Sequence, residues 1–558
     1  MFFGHPPKPI LALTLAVTGH RPVRPGDPPG GSAFDEAAVA DALGRALDAV
    51  LVEARSGLHR HASVFAPAPP ALSLVGALAE GADAIAAEAA LARGLAVDAI
   101  LPMPVADYEA TFGDASHVAR FRALLARARA ILVLPREGGE PGRAFEAAGF
   151  AALGQADLLI AVWDGKRSRG RGGTGDVVAE AARRGVTVLR IDPVDGATTL
   201  LASADDHGAV VRPVEDIAPV PVADGLAAAV DRLVRPPRDA AEARGLALFL
   251  GSWHFPLKRA PGAPAPGDAK AANAEAEARL AALTHGAGAV AAGCARRYRA
   301  AYSLSFALGA AGAAAVAAAT AFPVRRRAAA IELAAVALVV AISGLAAWRQ
   351  WHRRWLEARE VAERLRSSAP FWPLGIWPQA PSDEQPRWTG WFVRAAIREL
   401  PVFSGDLGAE MPEVRARASA LVAGQLAYHR DRIARRSRRD ALFKWMGYAC
   451  LAGGAALAAA DLADAAFSSA TPARATSVLL PALGATLFGL RLFSGAEDEV
   501  RRSERCVGEL AGLERAFADD APGDLETLRA RVRDLERVMS SDVEVWRAVY
   551  ESRRLGAA

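Results

Sequence analysis

Four stretches of this sequence run the width of a bilayer with almost no charge, and no other feature restricts the fold as much. Tyr302 to Phe322, YSLSFALGAAGAAAVAAATAF, holds no charge over 21 residues, enough at about 1.5 Å per helical residue to cross a hydrocarbon core of about 30 Å. Ala328 to Trp348 repeats that length with one charge, Glu332, near its edge. Leu442 to Ala460 and Ala475 to Leu490 form a second pair. The last is short enough to need snorkelling by Arg474 and Arg491, and it carries Pro481, which predicts a kink. Asp461 and Asp464 are expected to mark the end of the third stretch, because Asp is costly at a bilayer centre.

One such stretch alone also fits a buried alanine-rich helix of a soluble bundle, and the 52% hydrophobic fraction is inflated by small residues. Four stretches in two hairpins, flanked by arginine and by Trp348, Trp351, Trp355 and Trp445, predict an all-α transmembrane region with about four spans and interfacial anchors. Arginine is concentrated before the third span (RRSRRD) and after the fourth (VRRSER), which places both ends of the chain in the cytoplasm. Net charge is only +4, from 66 Lys+Arg against 62 Asp+Glu, so no nucleic-acid partner is expected. The three cysteines, Cys294, Cys450 and Cys506, fit no CxxC spacing and no disulfide scaffold; no metal site is expected and a reducing compartment is implied. The apolar run Pro9 to Val17 is short and lacks a basic lead, so it reads as a strand rather than a signal peptide.

Before the spans, Leu11 to Asp192 alternates strand-like and helix-like segments. LALTLAV precedes a helical stripe at Phe34, Val39, Leu43, Leu47 and Leu51; ALSLV, VDAILP, AILVL, DLLIAVW and VTVLRID follow, with helical stretches between. About six strands alternating with helices predict a parallel, doubly wound, Rossmann-like α/β sheet. Ligands bind such sheets at the carboxyl ends of the strands. Three turns there carry suitable groups: Thr18-Gly19-His20-Arg21 after the first strand; Glu80-Gly81-Ala82-Asp83 after the second; and DGKRSRGRGGTGDVVAE after DLLIAVW. In the last, Asp164 ends the strand, Gly172, Gly173, Thr174 and Gly175 lead amides toward a phosphate, and Arg169 or Arg171 adds charge. Alone, each is also an ordinary turn: Gly with an Asp N-cap, Asp176 in a helix's first turn, Glu180 on a solvated face.

With TGHRP, LAEGADAIAAEAALARGLAVDAILPMP and ADLLIAVWDGKRSRGRGGTGDVVAEAARRGVTVLRID in this order, residues 9–192 resemble the SLOG superfamily, the Rossmann-like fold related to DprA and the LOG cytokinin-activating enzymes. The resemblance implies a nucleotide-derived ligand held at Gly19 and Arg21, the Gly81 turn and the Gly173-Thr174 loop. LOG enzymes carry PGGxGTxxE, whereas this chain has RGGTGDVVAE, with Asp176 and Glu180 off that spacing. Roughly residues 275–554 resemble the SLATT family of two-span domains, on RRYRAAY before the first span, WHRRWLEAREVAERLRS after the second and the terminal VMSSDVEVWRAVY. One unit with an insertion and two units both fit.

The expected organisation is a SLOG-like domain at 9–192, a partly helical connector at 193–274, a first hairpin with its downstream helix at 275–368, an intervening segment at 369–430 that is re-entrant, interfacial or soluble, and a second hairpin with C-terminal helices at 431–554. The charged helices after each hairpin are expected either to be solvated or to pair with copies in a homo-oligomer. Function is then expected to be that of a sensor and effector in the inner membrane, whose cytoplasmic domain binds a nucleotide-like small molecule and controls the spans. The family resemblance implies pore formation against phage. The alternative is a membrane-tethered hydrolase of nucleotide or NAD-like N-glycosidic bonds, in which a carboxylate among Asp164, Asp176 and Glu180 does the chemistry. No cofactor motif, HExxH or Walker A sequence is present.

Overall fold

The computed structural model describes residues 8–22, 33–113, 115–135, 141–168, 170–201, 217, 219–251, 269–375, 377, 387–463, 471–519 and 525–551. The chain divides into two compact units. Unit one comprises Met1–Gly286, Arg364–Ala418 and Ala521–Glu536; unit two comprises Ala287–Glu363, Ser419–Asp520 and Arg537–Ala558. The expected domains follow one another along the chain, whereas these units interleave.

Unit one is a mixed α/β domain. Its strands are β1 (Ala12–Gly19), β2 (Ala71–Gly76), β3 (Ala96–Leu101), β4 (Ala130–Val133), β5 (Leu158–Val162), β6 (Thr187–Ile191), β7 (Thr198–Leu201), β8 (Val220–Pro221) and β9 (Gly405–Asp406). The helices between them are α1 (Glu36–Arg60), α2 (Ala82–Ala92), α3 (Val105–Glu109), α4 (Ala115–Leu125), α5 (Pro141–Gln155), α6 (Thr174–Arg183), α7 (Val222–Val234) and α8 (Ala240–Leu250). The order across the sheet is β8-β7-β6-β5-β1-β2-β3-β4-β9. β1 to β6 are parallel, as is β9 to β4, while β6, β7 and β8 pair antiparallel.

The sheet is thus mixed: mainly parallel, as expected, with an antiparallel edge at β7 and β8. β7 and β8 come from the Pro-rich connector and β9 is two residues from the intervening segment, too short to leave an alternating signature. The central strands were legible because β1 and β5, covered on both faces, are near-continuous apolar runs: LLIAV is buried throughout. α1 packs beside α2 and α7, and α5 beside α6. Asp35 caps α1 by accepting from Ala38 N at 3.0 Å.

Much of the segment left open as re-entrant, interfacial or soluble, residues 369–418, belongs to the same unit as this sheet. α12 (Trp388–Ile397) buries Trp388, Trp391 and Phe392, and Phe249 of α8 meets Trp388 at 4.9 Å between ring centroids. Arg398 pairs with Asp157 at 2.5 Å, and Val402 N donates to buried Asp98 at 3.2 Å.

Unit two is helical. The long helices are α9 (Ala269–Ala321), α10 (Arg325–Trp348), α11 (Trp351–Ser368), α13 (Leu407–Ala463), α14 (Thr471–Ser494), α15 (Ala496–Asp519) and α16 (Leu525–Glu551); α9, α11, α13 and α16 contribute residues to both units. Four helices among the described residues are long and apolar enough to cross a membrane, and only 11–22% of their most apolar windows is buried. Ala-rich helices of a soluble core would bury that surface; here Leu333, Val340, Trp348, Leu442, Trp445 and Leu462 are exposed. Trp355 departs from its expected interfacial place: it is buried, 5.3 Å from the Trp546 ring. Asp461 lies within α13, which is described as far as Ala463, whereas Asp464 and Arg169 lie outside the described residues. α14 runs helical through Pro481.

Candidate ligand-binding site

The sheet order changes direction between β1 and β5: from β1 the chain builds outward through β2, β3 and β4, then returns to β5 and β6 on the other side. Helices leave such a pair in opposite senses, opening a crevice beyond the strand ends. Gly19 is in register with Val162, so the Thr18-Gly19-His20-Arg21 tip and Asp164 stand side by side. His20 N donates to Val162 O at 3.0 Å. The His20 Nε2 lies 3.2 Å from Asp164 Oδ1 and 3.3 Å from the Asp164 amide nitrogen. A neutral Nε2 accepts from that amide; a protonated one donates to the carboxylate. Asp164 also accepts from Lys166 N at 3.0 Å, with Lys166 Nζ 3.4 Å from its other oxygen. Arg21 is exposed beside this pair in the chain.

The second turn is held from inside. Gly81 takes φ +88°, and a Cβ there would sit 2.7 Å from Arg21 Cα and from the His20 carbonyl oxygen. Only glycine allows this approach. Ala82 N donates to His20 O at 3.1 Å, so the chain itself fills the mouth of α2 where a phosphate was expected. Asp83 is buried and accepts from Ala77 N at 3.2 Å, clasping the turn; burial pushes its carboxyl from 3.8 up to about 7. Leu78, within this turn, is left-handed at φ +54°, an unfavourable conformation for a side chain with a Cβ. Glu80 lies 3.0 Å from His117 Nε2 of α4, a second imidazole–carboxylate pair.

The glycine-rich loop also closes on itself. Gly172 N donates to Asp176 Oδ2 and Asp176 N to Ser168 Oγ, both at 2.9 Å, and Arg171 pairs with Glu146 at 2.8 Å. A Cβ at Gly172 would lie 2.6 Å from Glu146 N and Gly142 O, and one at Gly173 2.8 Å from Ser168 Oγ. Gly173 and Thr174 open α6 at the loop's end. Glu180 is buried between Arg183 and Arg184, not on a solvated face. Asp176 and Glu180 therefore serve the loop and the helix, while Asp164 sits at the strand end against an imidazole.

Sequence reasoning brought Thr18, Gly19, His20, Arg21, Glu80, Gly81, Asp83 and Asp164 to one edge of the sheet, and the structure gathers them there. It missed His117, Ser168 and Tyr108, whose buried hydroxyl has no hydrogen-bond partner among the described residues. A lone His in ASHVARF, a Ser in KRSRG and a Tyr in ADYEATF carry no spacing signal; only the third dimension brings them in. Comparison with known proteins gives no matching family, no matching curated protein and no matching solved structure.

Proposed function

We propose that this chain is a membrane-bound ligand sensor: its α/β domain, a Rossmann-like, SLOG-like fold, binds a nucleotide-derived anion in the β1/β5 crevice, and the four apolar helices, SLATT-like, are the output. The exposed lengths of apolar helix carry the membrane half of this reading. For the ligand half, Arg21 offers a charged donor for phosphate, and Asp164 an acceptor for sugar hydroxyls, at the change of strand direction. The domain and the C-terminus face the cytoplasm, the membrane is the inner one, and the chain works as a homo-oligomer whose spans assemble or open, as a pore-forming antiphage effector would. Ligand binding drives this only through a difference in affinity between the two states, typically 1–3 kcal/mol.

The test is a thermal melt of the detergent-solubilised chain against a panel of nucleotides and NAD-like dinucleotides. A stabilising nucleotide is expected, and Arg21→Ala is expected to weaken it by about 1.5–3 kcal/mol, roughly ten- to hundred-fold in affinity. An unchanged shift in Arg21→Ala overturns the site.

The His20–Asp164 pair favours one second reading, the N-glycosidic hydrolase. A carboxylate beside an imidazole at a strand end can stabilise an oxocarbenium-like centre while the imidazole handles a proton. Free base or nicotinamide released on incubation, and lost in Asp164→Asn, supports the hydrolase; stoichiometric binding without turnover supports the sensor.

A further inference from the structure

Three helices of unit two bring together donors that the sequence scatters. His429 of α13, Cys506 of α15 and Asp542 of α16 each offer one ligand atom, all within 4.8 Å of one another. His429 is 4% exposed and Cys506 2%. The Cys506 thiol donates to Asp542 Oδ1 at 3.2 Å, but His429 Nδ1 is buried without a hydrogen-bond partner among the described residues, as is the hydroxyl of Ser503, one turn before Cys506. A buried imidazole nitrogen left unsatisfied costs stability, so the cluster has one contact too few for a purely structural knot.

We propose that His429, Cys506 and Asp542 form a zinc site that fastens α13, α15 and α16 together. Nitrogen, sulfur and oxygen in one set suit this borderline ion, with water in a fourth position. Bonds of about 2.0 Å to nitrogen and oxygen and about 2.3 Å to sulfur need donors about 3.3–3.6 Å apart, a small contraction of the present cluster. On binding, the S–H bond breaks and a Zn–S bond forms; the proton leaves to solvent and no electron moves. Charge does not forbid the ion. Arg502 is held by the other oxygen of Asp542 at 3.1 Å, Arg432 and Arg436 by Glu499, and Arg359 by Glu363, so each nearby guanidinium has its carboxylate. The inference is independent of any ligand at the sheet.

The experiment titrates the chelator-treated full-length chain in detergent with Co2+, then with Zn2+. A thiolate-to-cobalt charge-transfer band saturating at one ion per chain is expected, bleached by zinc. Zinc is also expected to raise the melting temperature and to protect Cys506 from alkylation. Cys506→Ser and His429→Gln, checked for helix content by circular dichroism, lose the band, while Cys294→Ser and Cys450→Ser keep it. No band in the unaltered chain, or one that survives Cys506→Ser, overturns the site. Alkylation of Cys506 at the same rate with and without zinc does so without relying on any variant.

Discussion

Asp83 shows how one side chain can be misread in the right place. Its position after a strand and a glycine resembles an N-cap turned toward a ligand; in the fold the carboxyl turns inward and holds Ala77 N. Burial raises its folded pKa from 3.8 to about 7. The folded state therefore keeps a proton that the unfolded state has released, and the associated stability is full below about pH 4 and lost as pH rises through about 7. That span corresponds to at most about 4 kcal/mol. Asn keeps the acceptor for Ala77 N and cannot ionise. Asp83→Asn is expected to match the parent at pH 4 and to melt higher at pH 8; equal losses in both proteins between those values would remove this role. Gly81 is the opposite case, because the glycine signal was legible while its cause, the His20-Arg21 backbone pressed against it, is tertiary.

At the scale of elements, the second apolar pair is fitted together by glycine. A Cβ on Gly447 of α13 would fall 2.9 Å from the Phe488 ring, one on Gly454 2.7 Å from the Pro481 ring, and one on Gly484 of α14 3.2 Å from the Gly447 carbonyl. Small residues let helices approach closely where lipid gives no hydrophobic drive for association. By contrast, a Cβ on Gly309 of α9 meets nothing within 4 Å. Gly447→Ala is expected to cost about 1–3 kcal/mol by overpacking, whereas Gly309→Ala is neutral or gains up to about 1 kcal/mol of helix propensity. Melting temperatures in one detergent compare them directly, and equal effects would break the pairing argument. The charged helix α11 makes a related point. Its polar pattern suggested water or another subunit, but Glu360 is buried and paired with Arg547 of α16, and Arg353 reaches buried Glu357. The chain supplies its own partner for that face.

For the whole molecule, the four helices long and apolar enough to cross a membrane leave Leu, Val and Trp uncovered. The chain is expected to sediment with membranes, to resist alkaline extraction and to need detergent to remain monodisperse. A monodisperse detergent-free preparation would contradict the membrane reading of all four helices together. Interleaving adds to this: residues 364–418 and 521–536 return to the sheet unit after apolar helices have passed. Cutting the chain at residue 192 therefore removes β9 and α12, and the ligand melt belongs on the full chain.

Local pattern determined the central strands, the helices between them and the four apolar stretches, because a strand buried on two faces and a helix apolar enough to cross a membrane are each a continuous apolar run that short windows detect. Gly81 and the Thr18 to Arg21 tip were legible for the same reason, lying next to such runs. Tertiary structure alone decided the short edge strands, the return of Trp388 and Trp391 to the sheet, the inward turn of Asp83, the closure of the Gly172 loop on Ser168, and the meeting of His429 with Cys506 and Asp542. These depend on which distant segments the core brings within a few ångströms, and distance through space leaves no period in the chain.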